Sequence, residues 1–381
     1  MKIATTLGFK ALLVLLLMAD APADAAKASS ATDKKAFAFI VTEFFTAIHA
    51  TQLMEECPEG LTASNDENWW LTTPADVRAR VSDNGTIEPV DDRRHNIVSY
   101  RGPNNEDVCW NPTVIKDPPL RTVRGTTSYG MNLDGTEDGR ATAKTCTHEK
   151  FIGFDGATKV DNQLYRVMGC IYGWRQHQYM ESNANRERRD TSQGVVLIEV
   201  TGAESLEKDG PVEVSFYRAV DIVPKDGSAN VIPYASFRID DPKRYGATAR
   251  GMIKDGVLTT EAIDARLPFA SNGAVMHMAM RGMRVEFQAR KDTAGIEGMI
   301  AGYQDVMNWW QFIRQIESLA VVNQFSCPAL YEGAWKMADG YPDPKTGQCT
   351  ALSSAFTFKA IPAYVIHSNA RQVSSGGGGG Q

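Results

Sequence analysis

Met252-Ile253-Lys254-Asp255-Gly256-Val257-Leu258 sets an Asp-Gly pair between two short apolar flanks. The two-residue turn that matches the twist of paired strands needs positive φ at both central positions, which Asp-Gly tolerates, so this stretch predicts a tight β-hairpin. Upstream, Val195-Val196-Leu197-Ile198-Glu199-Val200 is a β-branched run, and Val212, Val214 and Phe216 alternate with polar neighbours. Downstream, Met283, Val285 and Phe287 alternate again, and Gly295 to Tyr303 is expected to return antiparallel to them. Strands succeeding one another without intervening helices argue against a parallel α/β sheet. The expected fold class is mainly β, a sandwich or barrel-like antiparallel core with a few peripheral helices.

Three helices are expected around that core. Phe37, Ile40, Val41, Phe44, Phe45 and Ile48 recur at helical spacing, predicting an N-terminal helix from about Asp33 that ends near Cys57-Pro58-Glu59-Gly60. A second is expected from Gln304 to Val322 and a third from Pro328 to Ala338, with Phe356, Phe358, Ile361 and Val365 forming a last strand. Arg186-Glu187-Arg188-Arg189-Asp190 mixes both charges and reads as a solvated loop.

The chain opens with Met1-Lys2 and Lys10, followed by the apolar run Ala11 to Ala19 and the small-x-small sequence Ala23-Asp24-Ala25. That order is a secretory signal peptide, and its apolar part is too short for a bilayer core, which takes about 20 residues. The regions are therefore a leader over 1–25, a disordered polar N-terminus over 26–33, an N-terminal helix with a disulfide- and loop-rich calcium region over 34–190, a β-rich core with C-terminal helices over 191–370, and a flexible Gly-rich tail over 371–381. The expected location is secreted or periplasmic, with no membrane span in the mature chain. A net charge of -6 over 381 residues, with no concentrated basic face, argues against nucleic acid as a partner.

Six cysteines in an exported chain suggest disulfides: Cys57, Cys109, Cys146, Cys170, Cys327 and Cys349. Sequence leaves their pairing open. Short loops close most readily, so the expected pairs are Cys57 with Cys109, Cys146 with Cys170 and Cys327 with Cys349.

The segment with most chemistry is Asn132-Leu133-Asp134-Gly135-Thr136-Glu137-Asp138-Gly139. Oxygen-bearing side chains at alternate positions with turn-forming glycines suit calcium, which takes six to eight oxygens. The expected ligands are Asn132, Asp134, Thr136, Asp138, Asp155 and Asp161. Position twelve of an EF-hand loop counted from Asp134 is Thr145 instead of Glu, so a helical EF-hand is not expected. Ordinary Asp-Gly and Asn turn chemistry accounts for much of the same sequence without an ion. Arg166, Trp174 and Arg175 form a candidate polar-aromatic recognition patch, and bracing of a loop is the plainer reading of the same residues.

Asn132 to Arg140, Cys146-Thr147-His148 and Asp161 to Cys170 together resemble a segment shared by uncharacterised secreted bacterial proteins, over most of the mature chain. The resemblance implies export and carries over no activity and no catalytic residue. His148-Glu149 is the one candidate acid/base pair, with Asp155 or Asp161 as an expected spatial partner of His148. No H-E-x-x-H, G-x-S-x-G or phosphate-loop motif occurs. Two functions follow: a calcium-stabilised exported binding or envelope-associated protein with a glycan or other extracellular polymer as partner, or a secreted hydrolase of a polysaccharide or ester.

Overall fold

Asp255 and Gly256 both have positive φ, at 52° and 76°, and join two strands in which Lys254 faces Val257, so the hairpin forms as its sequence requires. The structure, a computed structural model, describes residues 35–81, 101–156, 158–175, 179–271, 273–291 and 294–367. The leader over 1–25, the polar N-terminus over 26–33 and the tail over 371–381 lie outside the described residues.

Thirteen strands are present among the described residues: β1 (Ala36–Thr46), β2 (Phe151–Ile152), β3 (Lys159–Val160), β4 (Val196–Thr201), β5 (Gly210–Arg218), β6 (Ala235–Arg238), β7 (Ala247–Lys254), β8 (Val257–Thr260), β9 (Ile263–Ser271), β10 (Ala274–Ala289), β11 (Ile296–Asp305), β12 (Gly340–Pro342) and β13 (Cys349–Ile366). Antiparallel pairing runs β1-β4-β5-β7-β8-β10-β11-β13, and β13 returns to β1. Over Phe356–Ala360, β13 has β11 on one side and β1 on the other. The ring is therefore a closed eight-stranded barrel, a size whose interior side chains just fill. Inward positions are Phe39, Val41, Ile198, Val214, Phe216, Ile253, Val285, Ile300, Phe356 and Phe358, all in one buried apolar cluster. Outward positions carry Glu213, Arg250, Lys254, Glu286, Gln288 and Lys359, the reverse of the apolar-out alternation of a barrel that faces lipid. No helix among the described residues is long and apolar enough to cross a membrane.

The expected N-terminal helix is instead β1. Val41 faces Ala360 and Glu43 faces Lys359, so Thr42 is an extra residue, a β-bulge that changes which parity points inward. Phe39 and Val41 face the interior before it and Phe44 after it, while Ile40 is buried on the outer face with Leu197, Val223 and Phe237. A bulged strand buried on both faces reproduces a spacing of three and four, which explains the misreading. The later helices are placed as expected, as Val306–Ile313 continuing through a 3-10 turn to Asn323, and Cys327–Met337. Arg186 to Asp190 belongs to the helix Tyr179–Thr191 rather than a loop. There the Arg188 guanidinium is buried over the rings of Phe44 and Phe269, at 5.2 and 5.1 Å.

The disulfides are Cys57–Cys170, Cys109–Cys327 and Cys146–Cys349, so none of the neighbour pairs expected from sequence forms. Cys57–Cys170 closes the loop-rich region on itself, and Cys109–Cys327 joins it to the first residue of the helix Cys327–Met337. Cys146–Cys349 ties the segment preceding His148 to the first residue of β13.

Candidate functional site

Residues 129–133 lie over the outer wall of β11 and β13, where Leu133 packs with Ala301, Tyr303, Ala351 and Ala355. The layer is sewn down by backbone bonds: Asp161 N donates to Met131 O at 2.9 Å, Cys146 N to Asp339 O at 2.8 Å and His148 N to Gly139 O at 3.0 Å. Asn162 holds the corner, its side chain capping the helix Gln163–Met168 and donating to the carbonyls of Ala47 and Tyr129. Gly139 has φ +69°, and a Cβ there would stand 2.0 Å from the His148 carbonyl oxygen, so no larger residue fits this crossing.

Between this layer and the barrel wall five charged side chains meet, each at most 5% exposed: Asp134, His148, Lys150, Asp161 and Asp339. His148 and Lys150, two apart in an extended segment, point the same way. The Lys150 ammonium has three acceptors for its three protons, Asn132 Oδ1 at 2.8 Å, Asp134 Oδ1 at 2.5 Å and Asp161 Oδ2 at 3.0 Å. His148 Nδ1 bonds the Cys146 carbonyl at 2.9 Å and Nε2 the Asp161 carboxylate at 2.8 Å. A carbonyl only accepts, so Nδ1 carries a proton. Burial by itself would lower the His148 pKa, but the Asp161 hydrogen bond and the Asp339 charge outweigh it and push the value up to about 9. Burial opposes ionisation of Asp161 too, yet His148 and Lys150 hold it below the usual carboxylate range. At Asp339 burial dominates and raises the pKa to about 6, against the pull of His148 and Ser353.

Of the six expected calcium ligands, Asn132, Asp134 and Asp161 converge, and what they surround is the Lys150 ammonium. Thr136 serves the cluster from outside, its hydroxyl donating to Asp134. Asp138 pairs with Arg140 at 2.7 Å, and Asp155 accepts from the Thr158 amide at 2.8 Å in an exposed turn, so neither joins the cluster. Asp134, His148 and Asp161 bring one metal-ligating atom each within 4.8 Å of one another. The expected pairing of His148 with Asp161 is present; Asp339, which completes the cluster, carried no local signal.

Arg166, Trp174 and Arg175 do not form a surface patch, because all three are buried. Arg166 lies over the Phe151 ring at 4.2 Å and donates to Val123 O. Trp174 packs on Phe325, and Arg175 pairs with the buried carboxylate of Glu56 and donates to Gly169 O. They brace the loop region beside Cys57–Cys170.

The rim of the same layer forms an open surface. Two depressions of about 700 and 500 Å³ adjoin on the outer wall and share Glu286. Phe154, 54% exposed, packs against Tyr129 at 4.2 Å and His49 at 4.7 Å. The wall beneath offers Glu286, Glu297, Glu261 and Arg284, the last bonded to the Asn132 carbonyl at 3.0 Å. Of the lining, only Asn132 and Asp155 lie in the oxygen-rich stretches expected to bind calcium; no motif marks the groove itself, because its members come from seven separate segments. Comparison with family models, with curated proteins and with solved structures finds no match to this chain.

Proposed function

We propose that this chain is an exported binding protein without catalytic chemistry of its own, which holds a glycan along the groove on the outer wall of its barrel. The observation that carries the reading is the exposed Phe154 ring, seated on Tyr129 at the edge of a depression whose wall bears carboxylates. A flat apolar ring beside fixed hydrogen-bond acceptors matches the two faces of a sugar, C–H on one side and hydroxyls on the other. The packed barrel interior supports an outer site, since Phe39, Val214, Phe216 and Phe358 fill it. Three disulfides fit an oxidising compartment.

The polymer hydrolase reading has less support. Both nitrogens of His148 are committed, one to a backbone carbonyl and one to Asp161, so neither is available to a substrate proton. Calorimetric titration against neutral, acidic and amino-sugar oligosaccharides tests the proposal. Phe154→Ala and Glu286→Gln are each expected to weaken binding roughly tenfold, about 1.4 kcal/mol. An oligosaccharide panel that gives no heat with the native protein, or a Phe154→Ala protein that binds as the native one does, overturns it.

A further inference from the structure

Three carboxylates of the five-residue charge cluster each turn one oxygen toward His148 Nε2. Asp134 Oδ1 accepts from Lys150 and from the Thr136 amide, while Oδ2, shared with the Thr136 hydroxyl at 3.0 Å, lies 4.0 Å from Nε2. Asp161 Oδ2 accepts from the Leu133 amide at 2.7 Å and from Lys150, while Oδ1 lies 3.0 Å from the Lys150 ammonium and is hydrogen-bonded to Nε2 at 2.8 Å. Asp339 Oδ1 accepts from the Ser353 amide at 2.6 Å, leaving Oδ2 at 3.8 Å. That last oxygen is buried and has no hydrogen-bond partner, as is true of the Tyr303 hydroxyl nearby.

We infer that Asp134 Oδ2, His148 Nε2, Asp161 Oδ1 and Asp339 Oδ2 are the ligands of a divalent transition-metal ion such as Zn²⁺ or Mn²⁺. Ligand atoms at about 2.0–2.2 Å from one ion stand about 3–4 Å apart; the three oxygens lie 2.8 to 4.0 Å from Nε2, and Asp134, His148 and Asp161 already come within 4.8 Å of one another, so Asp339 Oδ2 moves toward the other two carboxylates to complete the set. The surroundings are those of ligands held in place. The imidazole donates its other N–H to a backbone carbonyl, and each carboxylate is anchored by an amide or ammonium, which orients the ligating atoms. Charge agrees: three carboxylates and Lys150 sum to -2 when His148 is neutral, and a divalent ion brings the buried set to zero. An imidazole among the donors and four rather than six to eight ligands separate this site from calcium, which prefers oxygen alone. Lys150 stays as a neutralising group on Asp134 Oδ1 and Asp161 Oδ2, its ammonium giving up the contact with Asp161 Oδ1 when the ion enters. The inference is independent of the outer groove, which shares none of these four side chains.

The test uses the oxidised mature protein after chelator treatment and dialysis. Titration with Zn²⁺, Mn²⁺ and Ca²⁺, followed by elemental analysis after gel filtration, is expected to show one tightly held transition-metal ion per chain. Co²⁺ is expected to give ligand-field absorption distinct from that of the aquo ion. Asp339→Asn, which keeps the shape and the Ser353 bond, is expected to weaken the metal 10- to 100-fold. Circular dichroism separates loss of the site from loss of the fold. Three results would overturn the assignment: no stoichiometric metal in the native protein, binding of Ca²⁺ in preference to Zn²⁺ and Mn²⁺, or a folded Asp339→Asn protein that holds Zn²⁺ and Mn²⁺ as tightly as the native one. None of them bears on saccharide binding, so the two proposals stand or fall separately.

Discussion

Lys150 is the residue on which the buried cluster turns. Its ammonium is the common partner of Asp134 and Asp161, and both carboxylates have lost their water. Lys150→Met keeps the length of the stem and removes the charge, leaving two buried anions short of a cation. Breaking a buried pair in this way costs about 3–5 kcal/mol. Urea unfolding of the Lys150→Met protein is expected to show that loss, and a midpoint unchanged from the native protein would mean the cluster is not coupled to folding. The sequence made half of this cluster legible. Asp134 and Asp161 stand in an oxygen-rich stretch, and His148 and Lys150 follow within the same layer. Lys150 carries no such signal, because an oxygen-rich loop suggests a foreign cation and a lysine two residues beyond a histidine has no motif. Asp339 is out of reach for a different reason: tertiary pairing places it, its carbonyl accepting from the Cys146 amide and its own amide donating to Ala351 O.

At the scale of the element, β1 shows how a bulge disguises a strand. Thr42 is the extra residue, so deleting it leaves Val41, Glu43 and Phe44 in regular in-out-in order against β13. The cost is then confined to the Thr42 hydroxyl bond to the Lys359 carbonyl, about 1 kcal/mol. Deleting Ile40 instead forces either Phe39 or Val41 out of the barrel, a loss of roughly 3 kcal/mol or more. Denaturation of the two deletion proteins checks this, with the Thr42 deletion expected to unfold cooperatively near the native midpoint and the Ile40 deletion far below it. Equal damage from both would contradict the register. β5 and β7 bury one face and keep period two, which makes them legible as strands; β1 buries both and adds a residue.

For the whole molecule, the described residues between Cys57 and Cys170 hold only short helices and two-residue strands, and two disulfides tie them to the helix Cys327–Met337 and to β13. The disulfides span 113, 218 and 203 residues. Replacing Cys146 and Cys349 together by alanine is expected to cost about 2–5 kcal/mol. Thermal unfolding measures it, and a midpoint within a degree of the native protein would show that the layer over β11 and β13 stays put without this bond. Sequence could not order these pairs, because closure entropy grows only about 0.6 kcal/mol per doubling of loop length. Preference for short loops is thus easily overridden by where the barrel places each cysteine.

Because β1 and β13 are neighbours, the first strand of the described chain finds one of its two partners only in the last. A polypeptide emerging from a ribosome or a translocation pore N-terminus first therefore carries an open sheet with two unsatisfied edges until residues 349–366 arrive. Contacts this remote in sequence make ring closure a slow, late event. During that interval, the exposed edges invite pairing with other chains.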